Sequence, residues 1–304
     1  MELAYIVLSQ VIVIFILISI GFILCKKEYI NESGIKQITF ILLNIVTPCV
    51  LINSYQKEFD KSLINGLILA MIFSVIVHII AIVLSTFLFK NSKERKINIF
   101  SSIYSNCGFM AIPLLSAALG TDGVFYGSAY LIVFTVLAWT HGLVLFSGDK
   151  SLMSIKKIIT NPGVVGTVIA LILFVFGIIL PSPVKSSIEY MSYLNTPLAM
   201  IVLGSYLVKV NIKNVIRKIS IYAVCAMRLI VIPIITVLAL KLVNADPTVE
   251  TAIVITASCP CATIGTLFAS RFGLDADYSS EIISISTVLS IITIPVMVFL
   301  QTVL

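Results

Sequence analysis

Ten apolar runs of about twenty residues, separated by short polar breaks, follow one another along this 304-residue chain. That is the length a helix needs to cross the hydrocarbon core of a bilayer at about 1.5 Å per residue. The runs lie near 3–25, 36–55, 63–89, 97–119, 122–147, 161–180, 186–208, 219–243, 248–271 and 276–303. Hydrophobic residues make up 59% of the chain and charged ones 11%, where a soluble domain carries roughly 25% charged. The expected fold class is therefore an all-α integral membrane protein with ten transmembrane helices. Ten spans leave only about ten residues per connection. No nucleotide-binding domain fits into them, and no Gly-x-x-x-x-Gly-Lys-Ser/Thr loop occurs, which excludes an ATP-driven pump.

The formal charge of +6 reads as topology rather than as a nucleic-acid surface. The connections after the odd-numbered runs hold fifteen Lys and Arg residues, and the opposite side holds only Lys57, Lys61, Lys185 and Lys241. The positive-inside rule then places the basic connections in the cytoplasm and both termini outside a multi-pass protein of the cell membrane. The N-terminal run has no basic flank and no small-x-small cleavage site, so it reads as a retained first helix. Cys25, Cys49, Cys107, Cys225, Cys259 and Cys261 lie mostly inside apolar runs, where reduced thiols are the default.

An internal repeat accompanies the ten runs. An offset of 153 aligns Ser105, Gly120 and Asp122 with Ser258, Gly273 and Asp275. Five spans per half make such a repeat inverted. The expected organisation is a first repeat over 1–147, a cytoplasmic connection over 148–160 and a second repeat over 161–304. The fourth and ninth runs are interrupted at corresponding places, by Asn106-Cys107-Gly108 with Pro113, and by Ser258-Cys259-Pro260-Cys261 with Thr263. Irregular backbone at membrane depth is tolerated only where protein or a water-filled cavity satisfies it, and the half-helix N-termini at such breaks favour an anion. The expected substrate contacts are accordingly Asn106, Cys107, Gly108, Pro113, Cys259, Pro260 and Cys261. Two further candidates are Arg228, nine residues into its span, and Asn44, beside Pro48 in the second run. A simple helix kink at each proline, and a helix-end clamp by Arg228, are the competing structural readings.

The candidates for a coupling ion, a proton or sodium, are Ser258, Thr263, Glu281 and His78. No other cofactor and no bound metal are expected. Cys259-Pro260-Cys261 is a soft-metal pattern, but small residues that let two backbones approach account for it more simply. No paired intramembrane aspartate or Ser/His dyad suggests a protease, so an enzyme is not expected.

These motifs resemble the auxin efflux carrier family, which includes bacterial malate permease-like proteins, over essentially the whole chain. Asn106 followed seven residues later by Pro113 is similar to the family's fourth-helix motif. Pro260 with Ala262, Ala269 and Phe272-Gly273 is similar to its ninth helix, Arg228-Leu229 with Pro233 to its eighth, and Trp139-Thr140-x-Gly142 to its fifth. Ser286-Thr287-x-x-Ser290 with Pro295 resembles the last helix. The resemblance implies two inverted five-helix repeats, with broken helices four and nine crossing at a central site. It also implies a scaffold of helices one, two, six and seven that pairs as a homodimer, and an asparagine, here Asn106, contacting a substrate carboxylate. Gly265 stands where plant members carry a further proline. The function expected is a permease or efflux carrier: a secondary active transporter for a small organic anion such as a carboxylate, by an elevator or rocking mechanism. A sodium-coupled symporter or cation/proton antiporter of the same fold, a soft-metal transporter and a non-transporting sensor are the alternatives.

Overall fold

A computed structural model of the chain describes residues 2–153, 155–208, 218–243 and 245–304. Lys209, Lys213 and Arg217, part of the basic connection after the seventh run, lie outside the described residues. The described chain is helical throughout, and its one isolated β-bridge joins Ser105 to Cys261. In order, the helices are α1 (Glu2–Lys26), α2 (Glu32–Ser54), α3 (Lys61–Leu88), α4 (Arg95–Ile103), α5 (Cys107–Ser147) and the short α6 (Ile155–Ile159). They continue with α7 (Pro162–Val175), α8 (Ser182–Val208), α9 (Ile219–Lys241), α10 (Pro247–Ser258), α11 (Ile264–Arg271) and α12 (Ala276–Val303).

Seven of these are long and apolar enough to cross a membrane, and the bent pair Lys150–Ile159 with Pro162–Val175, at 47°, makes an eighth. The fourth and ninth runs differ from continuous spans. Each has a short helix before a non-helical break, α4 before Asn106 and α10 before Pro260, and resumes as helix after it, in α5 and α11. What the sequence separates at residues 119–122 is a left-handed turn inside α5, at Gly120 (φ 63°, ψ −146°). Gly273, its counterpart at the offset of 153, is also left-handed (φ 67°) and ends α11.

The surface is inverted relative to a soluble protein. Ile68, Ile72, Ile79, Val83 and Phe87 of α3 and Ile292 of α12 are exposed, while Ser74, His78, Asn98, Thr236 and Ser286 are buried. In lipid an apolar exterior carries no penalty and polar groups are satisfied inside. α10 is buried all round, with residues Val249–Ser258 all shielded although they include Glu250, Thr251, Thr256 and Ser258, as expected of a helix surrounded by others. It sits among α3, α5, α9 and α12, whereas α1, α2, α7 and α8 pack on one another.

Three prolines leave the same signature. Pro48, Pro113 and Pro233 each stand two residues beyond a single widened turn, over Leu42–Val46, Cys107–Ala111 and Met227–Val231. Proline supplies no N–H and its ring crowds the preceding turn, so the bonding slips to i→i+5, as in Thr47 N–H to Leu42 O and Ile232 N–H to Met227 O.

α1 and α8 meet backbone to backbone at Gly21 and Gly204. A Cβ on Gly204 would lie 2.4 Å from the Ile18 carbonyl oxygen and 2.5 Å from the Phe22 nitrogen. Small residues of this kind let helices approach in a membrane. Gly204→Ala is expected to force the two helices apart at a cost of about 1–3 kcal/mol, read as a lower Tm of the purified protein. An unchanged Tm would show that the contact yields freely.

Candidate functional site

The two breaks meet in the middle of the bundle. The Asn106 N–H donates to Pro260 O at 2.7 Å, and the Ala262 N–H donates to Tyr104 O at 2.9 Å. With the Ser105–Cys261 bridge between them, 104–106 and 260–262 form a minimal antiparallel ladder. Each break thus satisfies the backbone groups that the other exposes, which is how irregular chain persists without water. The Cys261 N–H is held separately by Ser286 Oγ at 3.2 Å.

Arg228 closes the same junction from behind. Fully buried on α9, it donates to Ile103 O at 2.6 Å and to Ala257 O, with Ser102 O at 3.5 Å. These carbonyls end α4 and α10. Each helix C-terminus carries about half a negative charge, so the two together offset one guanidinium without a carboxylate. Arg228, expected among the substrate contacts, does not line the cavity described next. It occupies the clamp position that was its alternative.

On the other side of the junction lies a cavity of about 410 Å³. Asn106, Gly108 and Thr263 line it, together with Ser105, Thr39 and Thr47 of α2, Leu131, Phe134 and Trp139 of α5, Asn161 and Gly163 at the start of α7, and Tyr206 of α8. Among the described residues no charged side chain lines it. Positive potential comes from helix N-termini: the turn that starts at Cys107, α11 behind Thr263, and α7 behind Asn161. Asn161 Oδ1 accepts from the Gly163 and Val164 N–H groups at 3.0 and 3.3 Å. The Asn106 side chain accepts from the Phe109 N–H at 3.4 Å, and its buried amide nitrogen has no hydrogen-bond partner. The lining is mostly apolar, with a rim of hydroxyls from Thr39, Thr47, Ser105, Thr263 and Tyr206, the usual make-up of a small-molecule site with a few polar anchors.

The other sequence candidates sit elsewhere. Cys107, Pro113, Cys259, Pro260 and Cys261 are buried in the packing of the junction, and Cys259 Sγ donates to Ile255 O at 3.4 Å. Asn44 is exposed on the outer face of α2, where its amide donates to Phe40 O at 2.9 Å. Ser258 is buried with an unpartnered hydroxyl. Glu281 is ion-paired with Lys218 at 2.5 Å. His78 is fully buried on α3, against the Tyr130 ring. Sequence reasoning missed Thr47, Trp139, Asn161 and Tyr206 as cavity residues. Asn161-Pro162 carried a legible signal, an N-cap residue followed by proline at the first helical position.

The cavity lies toward the end of the bundle that bears the basic connections, where Lys157 sits over the Trp139 ring at 4.9 Å. Toward the opposite end, side chains near the end of α2 pack against α5. Tyr55 and Ser128 hydroxyls bond at 2.7 Å, Tyr55 packs on Phe125 with ring centroids 4.4 Å apart, and Lys57 is ion-paired with Asp122.

An apolar-surfaced helical bundle with a buried polar junction, open to one side, defines the class: a multi-pass membrane transport protein. A profile of the family described as membrane transport protein matches residues 6–298, and the chain belongs to that family, the one its auxin efflux carrier motifs resemble. It is 25% identical over 306 aligned positions to an uncharacterized transporter of Methanothermobacter thermautotrophicus, covering 94% of this chain and 96% of that one. It is 23% identical over 304 positions to the uncharacterized transporter MJ1031 of Methanocaldococcus jannaschii, with the same coverage of each chain.

Proposed function

We propose that the chain is a secondary active transporter for a small organic anion, a carboxylate in the first instance, and that the cavity beside the paired breaks is its binding site. The observation that carries this is the unpartnered amide of Asn106, at a cavity that three helix N-termini face and that no acidic side chain among the described residues lines. The positive dipole end of a helix N-terminus favours an anion even where its first N–H groups are capped, and an amide N–H₂ adds a directed donor to a carboxylate oxygen. The test is counterflow of labelled malate in proteoliposomes with a panel of unlabelled competitors. Inhibition by mono- and dicarboxylates but not by amines or metal cations is expected. Inhibition confined to cations would overturn the reading.

In the same reading the ten spans comprise the seven helices, the bent pair, the span α10–α11, and α4 with residues 107–119 counted apart from residues 121–147. The matched left-handed glycines, Gly120 and Gly273, support the inverted duplication. α4 with the first arm of α5, and α10 with α11, are the crossing helices. The α1, α2, α7 and α8 group is the scaffold, and the remainder is the moving body. Asn44 and Phe40 on the outer face of α2 are where a second copy would pair, since an amide is better placed at a protein interface than in lipid. With the basic connections in the cytoplasm the cavity faces inward.

Transport then requires the outer contacts between α2 and α5 to part. Lys57–Asp122 suits a contact broken every cycle, because a partly exposed ion pair contributes at most about 1 kcal/mol. Replacing both residues with cysteine and oxidising the pair is expected to stop counterflow by at least tenfold, with recovery on reduction. Full flux in the cross-linked protein would exclude movement of α5 relative to α2.

A further inference from the structure

Beside the junction several buried polar atoms are left without hydrogen-bond partners. They include His78 Nε2, the Tyr130 hydroxyl, Ser105 Oγ and Arg228 Nε, besides the amide of Asn106. Fully buried orphans of this kind are uncommon, and these cluster around one imidazole. His78 Nδ1 lies 2.7 Å from Ser74 O. A carbonyl oxygen only accepts, so Nδ1 carries the hydrogen and Nε2 presents a free lone pair. The His78 and Tyr130 ring centroids are 4.7 Å apart, and the Tyr130 hydroxyl faces Ser105 and Arg228. Ser105 is the residue before Asn106, and both line the cavity.

We propose that His78 carries the coupling proton of a proton–anion symport, and that its protonation and the seating of a carboxylate against Asn106 favour each other. This rests on the organic-anion reading of the cavity and deepens it by naming the coupled ion and its carrier.

The physical basis is the charge around the imidazole. The titratable and charged groups facing it are Tyr130 of α5, Tyr104 at the end of α4 and Arg228 of α9. None is a carboxylate. Glu250, the acidic residue of the neighbouring α10, is ion-paired with Lys241. With the cavity empty, an imidazolium here would stand beside the Arg228 guanidinium with no facing anion among the described residues to offset that opposition of like charges. A carboxylate at Asn106 brings one negative charge into the same low-dielectric region and lowers that opposition. Nε2 then takes a proton from water on one side of the membrane, becomes an imidazolium, and returns the proton to water on the other side when the anion leaves. Linkage makes the effect reciprocal: a protonated His78 holds the anion more tightly. Sodium is disfavoured at this position by the guanidinium of Arg228 beside it, with no carboxylate among the described residues facing it.

The chain has two histidines, so His141→Gln leaves His78 as the sole imidazole signal in nitrogen NMR of the protein in nanodiscs. Saturating malate, or acetate at high concentration, is expected to raise the His78 titration midpoint by about one pH unit, and Asn106→Ala is expected to remove the rise. A midpoint unmoved by either acid overturns the proposal. In proteoliposomes, an imposed pH gradient is expected to drive malate uptake by the wild type and to leave uptake by His78→Gln unaccelerated, and a retained drive in the variant also overturns the proposal. The two readings fail separately. Malate flux without a midpoint shift leaves an organic-anion carrier and removes the proton role, whereas a shift without flux leaves the linkage and removes transport. Neither flux nor shift removes both.

Discussion

Arg228→Ala is expected to destabilise the protein by about 3–5 kcal/mol, the loss that follows when one partner of a buried charged network is removed. The guanidinium is the shared partner of the last carbonyls of α4 and α10. Without it, the ends of two half-helices face each other with no donor and no water between them. The dipoles that now offset its charge would repel each other instead. Arg228→Lys keeps the charge but cannot reach Ile103 and Ala257 with the same planar fork, so it should recover only part of the loss. Thermal unfolding of the purified variants in lipid nanodiscs measures this directly. Native stability with abolished transport would instead make Arg228 a substrate contact, the role its depth suggests.

Asn106→Ala should behave in the opposite way, with flux lost and fold kept. The link from Asn106 to the other break is its backbone N–H to Pro260 O, which alanine retains. The side chain contributes one long cap bond to Phe109, at 3.4 Å. What alanine removes is the free amide, whose hydrogen bond to a carboxylate is worth about 1.5–3 kcal/mol. Substrate affinity is therefore expected to fall by roughly tenfold to a hundredfold, with little change in Tm. Asn106→Asp, which sets a carboxylate against a carboxylate, should transport less than the alanine variant. Equal saturation curves for wild type and Asn106→Ala would remove Asn106 from the site.

The contrast between these residues shows what a sequence reveals here. Asn106, Pro113 and Pro260 stand out because polar or donor-less residues in an apolar run are costly and so carry meaning. That the two breaks bond to each other is invisible, because the bonds join backbone groups that every residue possesses. The same holds for Arg228: its depth was legible, its partners were carbonyls. The cavity walls were hidden for a related reason. Thr39 and Thr47 return their hydroxyls to Ile35 O and Leu42 O, so in sequence they cannot be told from threonines that merely decorate a helix. Glu281 was ambiguous because Lys218, its partner, lies 63 positions away. The sequence parts its fourth and fifth runs around 119–122, and there the structure has a positive-φ turn at Gly120 after which the helix resumes at once, with no loop between its arms.

The most direct test of the binding site is saturable uptake of labelled malate by proteoliposomes of wild type and of Asn106→Ala, compared at matched protein orientation and content. The account predicts saturable, carboxylate-competed uptake in the wild type, reduced at least tenfold at subsaturating malate in a variant that remains folded. Saturable uptake of the same size in both proteins would contradict it, because the anion would then cross without meeting the junction of the two broken helices.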